Sequence, residues 1–496
     1  MTEHPLESIF HPRSIAVVGA SPRGPQTGVG AFLPALIEQG YDREHGLYPV
    51  NPGVEEVSGL RCYPTLLDCP DPVDHVISQV PAAAVPQILE HCIEKGAHSL
   101  HLFTAGFSET RDASMTEIEQ NLVERARVAG IRLLGPNCMG LYVPEERLTF
   151  MGGFPEEPGN VLLLSQSGSN ARAIIVGLAQ RGIRFSKAIS FGNGADLDAP
   201  DFFDYAASDP QTDLVIAYIE SVSAGRRLFE AVKRCAAGKP TIILKGGVNA
   251  SGARAANSHT GALSGSVDIF EALCRQTGAI RAETMDGLQD LVIAASTDVR
   301  RVAGPGVALA AGGGGGFAVL SADAVHAAGL EVPEMPLEVQ QELHEFVRVA
   351  GTSVRNPIDA NMGGDGGLRM YRIVAAAAPV DIVFAGNLLA AGRTGPAPLS
   401  DGGEAIREED SALRSVEAVG RLQEESGVPF VGIMNRDSGA GAGAGDSATE
   451  LAFERGLAVF PTVQRAAQAI STLLQWRERR EDLPELFAPG AELRGS

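Results

Sequence analysis

Residues 14–24 read SIAVVGASPRG. Ser14–Val18 is a short apolar run with three β-branched residues, the composition of a buried strand. Gly19-Ala20-Ser21-Pro22-Arg23-Gly24 breaks that run with turn residues, and helical spacing follows from about Gly28 to Gln39. The same succession recurs downstream. Leu47–Val50 ends at Asn51-Pro52, Val73–Val80 at Pro81, Leu100–Phe103 at Thr104-Ala105-Gly106, and Ile131–Leu134 at Gly135-Pro136-Asn137-Cys138. Each strand meets its loop signal at its carboxyl end, so the strands read as parallel with all carboxyl ends on one edge. The reading is a doubly wound α/β domain over residues 1–148, with ligands expected on that edge.

The pattern extends outward from there. Gly152–Gly159, rich in Pro, Gly and Glu, marks a boundary. A second α/β domain over 158–299 opens with Asn160–Leu164 and the turn Ser165-Gln166-Ser167-Gly168, and continues with strands at Lys187–Ser190, Leu214–Ile219 and Thr241–Leu244. Arg300–Gly306 marks another boundary. A third domain over 304–480 opens with Val307–Ala311, five glycines at Gly312–Gly316 and a helix from Phe317 to Ala328. Its further strands are expected at Asp381–Ala385 and Pro429–Met434, its last helix at Thr462–Arg480, with mobile loops at Gly386–Asp410 and Ser438–Gly445. Residues 481–496 read as a loose tail. The fold class is therefore α/β, three consecutive doubly wound domains that all open with strand, Gly- or Ser-rich turn, and helix.

Composition agrees with this architecture. Of 496 residues, 44% are apolar and only 5% aromatic, which suits layers built from small aliphatic side chains. Lys plus Arg is 40 against 61 Asp plus Glu, and 40 − 61 gives a net charge of −21. A chain this acidic repels nucleic acid and anionic membranes, so neither is expected as a partner. The six cysteines form no CxxC pair and no zinc spacing; free thiols in a reducing cytoplasm are expected, and no metal site within the chain. The opening MTEHPLESIFHPRSI lacks a signal-peptide core, and no run of 18 or more apolar residues is present.

Three turns and one histidine carry the chemistry. The turn at Gly19–Gly24 lacks GxGxxG spacing, and the second strand ends in Asn51 where an NAD-binding unit would place an acidic residue on the ribose. That argues against NAD and leaves either another phosphate-bearing nucleotide at the helix start or a plain tight turn. Ser165-Gln166-Ser167-Gly168 suits an anion cradle and equally a helix N-cap. Gly312–Gly316 lets a backbone approach a ligand closely, but lacks the Lys-Ser/Thr ending of a P-loop. His259 sits in Ala256-Asn257-Ser258-His259-Thr260-Gly261, between Gly252 and Gly265. Such a histidine is either structural or carried on a movable loop. The carboxylate of Glu220, at the end of Leu214–Ile219, could accept the Nδ1 proton and leave Nε2 as a nucleophile.

At these residues the chain resembles the nucleoside-diphosphate-forming acyl-CoA synthetases, the superfamily of succinyl-CoA synthetase and ADP-forming acetyl-CoA synthetase. SIAVVGAS, YPVNP, TAGFSE and GPNCMG resemble its Rossmann-like CoA-binding domain. LLSQSG, FGNGADLD and NSHTGALSG resemble a flavodoxin-like domain that holds a phosphorylated histidine. AAGGGGGFAVLSADAV and RNPIDANMG resemble a second flavodoxin-like domain. The resemblance implies that Gly19, Ala20, Ser21, Asn51, Pro81, Ala105, Gly106, Asn137 and Cys138 line the coenzyme A site. It implies that His259 is phosphorylated, that Glu220 orients it, and that Ser165, Ser167 and Gly168, with Gly313, Gly314, Gly315 and Gly316, bind the phosphoryl group at two helix N-termini.

The implied reaction is reversible: acyl-CoA, phosphate and ADP give acid, CoA and ATP through acyl phosphate and phosphohistidine. Two departures stand out. Val248 occupies a position where the family often has Arg, and Glu220-Ser221 replaces the common Glu-Gly. No segment fits an ATP-grasp module, so a separate ATP-grasp β-type subunit is expected to supply the ATP/ADP and Mg²⁺ sites, within an oligomeric enzyme. The competing reading is a non-catalytic CoA- or acyl-CoA-binding regulatory protein.

Overall fold

Fifteen short strands build three sheets, parallel but for one edge strand, in the computed structural model, which describes residues 4–22, 30–249, 251–252, 254, 266–310, 312, 314–347, 351–360, 362, 364–386, 388, 408–434 and 444–482. His259, Gly313, Arg23, Gly24, Gly28 and most of the loops expected at 386–410 and 438–445 lie outside the described residues, as does the chain from 483 onward.

The first sheet contains β1 (Ser14–Val18), β2 (Gly46–Val50), β3 (His75–Ser78), β4 (Ser99–Leu102) and β5 (Arg132–Leu134), in the order β2-β1-β3-β4-β5 and all parallel. A two-stranded hairpin, Glu56–Val57 with Leu60–Arg61, follows β2. β1, β3 and β4 are buried along their whole length, as expected of strands covered by helices on both faces. The helix after β1 runs over Phe32–Gln39 and so begins later than the Gly28 expected from sequence. The reason is Gly30, whose φ of +83° is left-handed and cannot belong to a helical turn.

The chain then passes straight into the second sheet. β6 (Gly140–Tyr142) pairs antiparallel with β8 (Phe185–Ser190), which lies beside β7 (Val161–Ser165). β9 (Leu214–Ile219), β10 (Thr241–Lys245) and β11 (Ile280–Ala282) extend the other side, giving β11-β10-β9-β7-β8-β6. β6 and β11 are strands that the sequence reading missed; each has only three residues, too few for periodicity to register.

These two sheets belong to one compact unit, Met1–Val176 with Arg184–Glu283. A second unit, Gly177–Ile183 with Thr284–Leu483, holds β12 (Val307–Ala310), β13 (Ile382–Gly386), β14 (Phe430–Ile433) and β15 (Ala458–Phe460), parallel and in sequential order. Within it, Asp290 is 4% exposed as a side chain and accepts hydrogen bonds from both Arg181 and Arg465. On the outer edge of β12, Glu331 makes one isolated parallel bridge with Gly306. Beyond it the Asn356 side chain takes over the ladder: it accepts from Leu309 N–H at 2.9 Å and donates to Val307 C=O at 2.9 Å. Asn356 is left-handed, with φ of +80°, which asparagine tolerates better than most residues. This accounts for the asparagine in RNPIDANMG as a strand substitute.

In the first sheet β2 and β3 flank β1, in the second β8 and β9 flank β7, and in the third the Glu331 bridge and β13 flank β12. β1 and β7 therefore stand where the strand order reverses, and the turn after each opens at the carboxyl edge there.

His75 and His101 lie side by side under the first sheet, ring centroids 6.1 Å apart and wholly buried. His75 Nδ1 pairs with Ser99 Oγ, and His101 Nε2 with the Cys138 carbonyl. Burial keeps both neutral, with pKa values lowered from 6.5 to about 3 and about 4. The unfolded chain therefore takes up these protons first as pH falls. Stability should drop from about pH 6.5 downward, by roughly 1.4 kcal/mol per pH unit for each histidine. The urea midpoint of unfolding should fall between pH 7 and pH 5; a flat midpoint over that range would contradict the assignment.

Candidate functional site

The first switch point lies at the end of β1. Gly19 has φ of +91° and donates its N–H to the Val50 carbonyl. A Cβ there would come within 3.3 Å of the Gln79 backbone, so the turn is glycine for conformation and for space. Ala20 is buried and Ser21 exposed. Asn51, in place of an acidic ribose ligand, donates Nδ2–H to the Ala20 carbonyl at 2.8 Å and accepts from Gly53 N–H. Its amide braces the β1 turn.

Further along the same edge opens a cavity of about 580 Å³. Pro81, Ala105, Asn137 and Cys138 line it from the first sheet, and Ser167 and Gly168 from the second, so six of the residues expected from sequence meet on one cavity. Gly106 N–H donates to Glu109 beside it. Cys138 contributes wall rather than reactivity: its thiol is buried, donates toward the Leu102 carbonyl at 3.8 Å, and has its pKa pushed up by desolvation. All six cysteines are free and buried.

The second wall is the Ser165–Ser169 turn at the start of helix Gly168–Ala179. Ser165 is fully buried; its hydroxyl donates to the Ser167 carbonyl at 2.7 Å and accepts from Ser167 N–H. It braces the turn from below. Ser167 Oγ lies 3.0 Å from Ser169 Oγ and accepts weakly from Asn170 N–H. Both serine hydroxyls therefore gather at a helix N-terminus on the cavity wall, where partial positive charge favours an anion.

Gln166, between the two serines, does what no sequence signal announced. Its Oε1 accepts from Glu220 N–H at 2.5 Å and Ser221 N–H at 2.9 Å, and its Nε2 faces Ser221 Oγ. Lys245 clamps the same loop from β10, donating from Nζ to the Glu220 and Gly246 carbonyls. Burial pulls the Lys245 pKa down, and Glu220 partly offsets this. The Tyr218 phenol bonds the Glu220 carboxylate; desolvation first, then that carboxylate, raises its pKa. Glu220 is thus fixed just beyond β9, one strand from β7, at the second switch point.

The loop after β8 joins the two sheets. Asn193 donates Nδ2–H to Glu109 Oε2 at 2.8 Å, and its backbone N–H reaches the Pro136 carbonyl. A Cβ on Gly192 would come within 2.4 Å of the Pro136 and Asn137 carbonyls, so only glycine permits this approach. Asp196, with no exposed side-chain surface, accepts from Arg127, Arg132 and Leu133 N–H. Burial alone would raise its carboxyl, but Arg132, the Leu133 amide and Arg127 hold it below its usual range.

In the other unit, Gly314 caps helix Gly315–Ala327 with φ of +83°, and Gly315 and Gly316 form its first turn. Among the described residues no group of three or more His, Cys, Asp or Glu could hold a metal ion. No described helix is long and apolar enough to cross a membrane.

Comparison with known proteins places this geometry. Residues 13–144 match the family of CoA binding domains, and residues 158–295 the succinyl-CoA ligase like flavodoxin domain. A Pyrococcus furiosus protein named acetate–CoA ligase (ADP-forming) II subunit alpha is 36% identical over 382 residues, which cover 77% of this chain and 82% of that one. An Archaeoglobus fulgidus acetate–CoA ligase (ADP-forming) I is 35% identical over 383 residues; the match takes in 76% of this chain but only 54% of that longer protein. Among solved structures, a Ca. Korarchaeum cryptofilum dinucleotide-forming acetyl-coenzyme A synthetase 1 in complex with phosphate and ADP superposes with a TM-score of 0.76 at 29% identity, covering 97% of this chain and 98% of that one.

Proposed function

Because the chain belongs to the ADP-forming acetate–CoA ligase family, we propose that it is the α-type subunit of an acid–CoA ligase, binding CoA and carrying the phosphoryl group on His259. The observation that carries this reading is Glu220, clamped by Gln166 and Lys245 at the switch point beside a serine turn that lines the cavity.

In this reading an oxygen of phosphate held at Ser167–Ser169 attacks the thioester carbon. The C–S bond breaks and CoA leaves as thiol with the proton of the hydrogen phosphate. Nε2 of His259 then attacks the phosphorus of the acyl phosphate, and the acid leaves as carboxylate. Glu220 holds the Nδ1 proton and stabilises the charged ring. The β-phosphate of ADP finally takes the phosphoryl group from His259.

The nucleotide and Mg²⁺ belong to an ATP-grasp β-type partner; the α-subunit names of the two Pyrococcus furiosus relatives support this division. Six buried free thiols suit a cytoplasmic enzyme. The test is to incubate the purified chain with acetyl-CoA and labelled phosphate. Acid-labile, base-stable label is expected on the chain alone, and labelled ATP only after the ATP-grasp subunit and ADP are added. A chain that binds CoA but takes no label from any acyl-CoA, even with the partner, would be a non-catalytic CoA-binding protein.

A further inference from the structure

We propose that Met139 sets the size of the acyl group, limiting it to short, unbranched and uncharged chains; the proposal rests on the ligase reading above. Met139 follows Cys138 and immediately precedes β6. Its backbone is pinned, with its N–H donating to Ser190 Oγ at 3.2 Å. Its side chain is buried and lines the cavity. It also reaches the opposite wall: a Cβ placed on Gly168 would stand 2.3 Å from Met139 Cγ. The thioether therefore bridges from the wall ending in Asn137-Cys138 to the first turn of helix Gly168–Ala179.

That is where the acyl substituent must go. The thioester carbon has to lie within reach of the CoA-bearing wall on one side and the Ser167–Ser169 turn on the other. Any chain on that carbon then meets Met139. The other large apolar groups on the wall are Val80, Pro81 and Phe103. Among the described residues that line the cavity none is charged, so a second carboxylate on the acyl group would be buried without a partner. Methionine is unbranched and deformable, which makes it a soft stop: one or two extra carbons displace it at a cost, and a branch collides with it.

The experiment compares initial rates of chain labelling by phosphate with acetyl-, butyryl-, isobutyryl- and succinyl-CoA, using the full chain. The readout is the butyryl-to-acetyl ratio within each variant, which cancels any general loss of folded protein. Met139→Ala removes three heavy atoms and should raise that ratio about tenfold or more. Met139→Val, a milder change in volume, should move it the same way by a smaller factor. Wild type should take little label from succinyl- or isobutyryl-CoA. Unchanged ratios in both variants, or succinyl-CoA matching acetyl-CoA on wild type, would overturn the proposal. Absence of label from wild type with every acyl-CoA would overturn the ligase reading beneath it, a distinct result.

Discussion

Replacement of His259 by asparagine should abolish acid-labile phosphate on the chain completely, while CoA affinity stays within about twofold of wild type. The imidazole is the sole group in Ala256–Leu263 whose phosphorylated form is hydrolysed by acid and survives base. Its neighbours Ser258 and Thr260 would give phosphate esters, which resist acid. Label chemistry therefore separates a true phosphohistidine from a hydroxyl acting in its place. CoA binding should survive because the cavity is built from strand ends and turns of residues 79–193, none of which the substitution alters. Acid-labile label persisting on His259→Asn would refute the role of this residue.

Glu220→Gln should slow phosphorylation by about 10²–10⁴-fold, the range seen when a charged acid–base partner is lost. The substitution is informative because the Glu220 backbone is held independently of its side chain. Gln166 binds its N–H and Lys245 its carbonyl, so the loop stays in place when the carboxylate becomes an amide. Gln can still accept the Tyr218 hydrogen bond, which removes the negative charge and little else. The imidazolium formed on phosphoryl transfer then loses its counter-charge. The pH profile of labelling should change with the rate, whereas CoA affinity should not. A rate within threefold of wild type would mean that Glu220 serves only the loop.

The sheets were largely legible because parallel buried strands are continuous apolar runs that stop at turn residues. β9 was read at its full observed extent, Leu214–Ile219, and β1 likewise. β6, β11 and β15 were not: three residues carry no period of their own, and none is closed by a Gly-Pro turn like the one that marks the equally short β5. The carboxyl-edge turns were legible as places; their internal wiring was not. Ser165 reads as a ligand, and its hydroxyl also braces the turn by bonding the Ser167 backbone, wiring that spacing alone does not announce. Gln166 is invisible in sequence for the opposite reason: its partners, Glu220 and Ser221, lie on another strand. Asn51 and Asn356 show the same limit, each an amide completing backbone it does not neighbour.

The strand Gly140–Tyr142 carries a consequence for how the molecule is made. It leaves the first sheet yet pairs only with Phe185–Ser190 of the second, and that partner is synthesised later. On the ribosome, the segment that completes the cavity therefore emerges before the strand that fixes it. Until Phe185–Ser190 arrives, Met139 lacks the Ser190 hydroxyl that pins it, and an apolar three-residue edge stands open. A gene cut after residue 148 would freeze the chain in that condition. The translation unit that yields a finished cavity thus extends well into the second α/β domain, and an autonomous first domain would have to replace or mask that trailing strand.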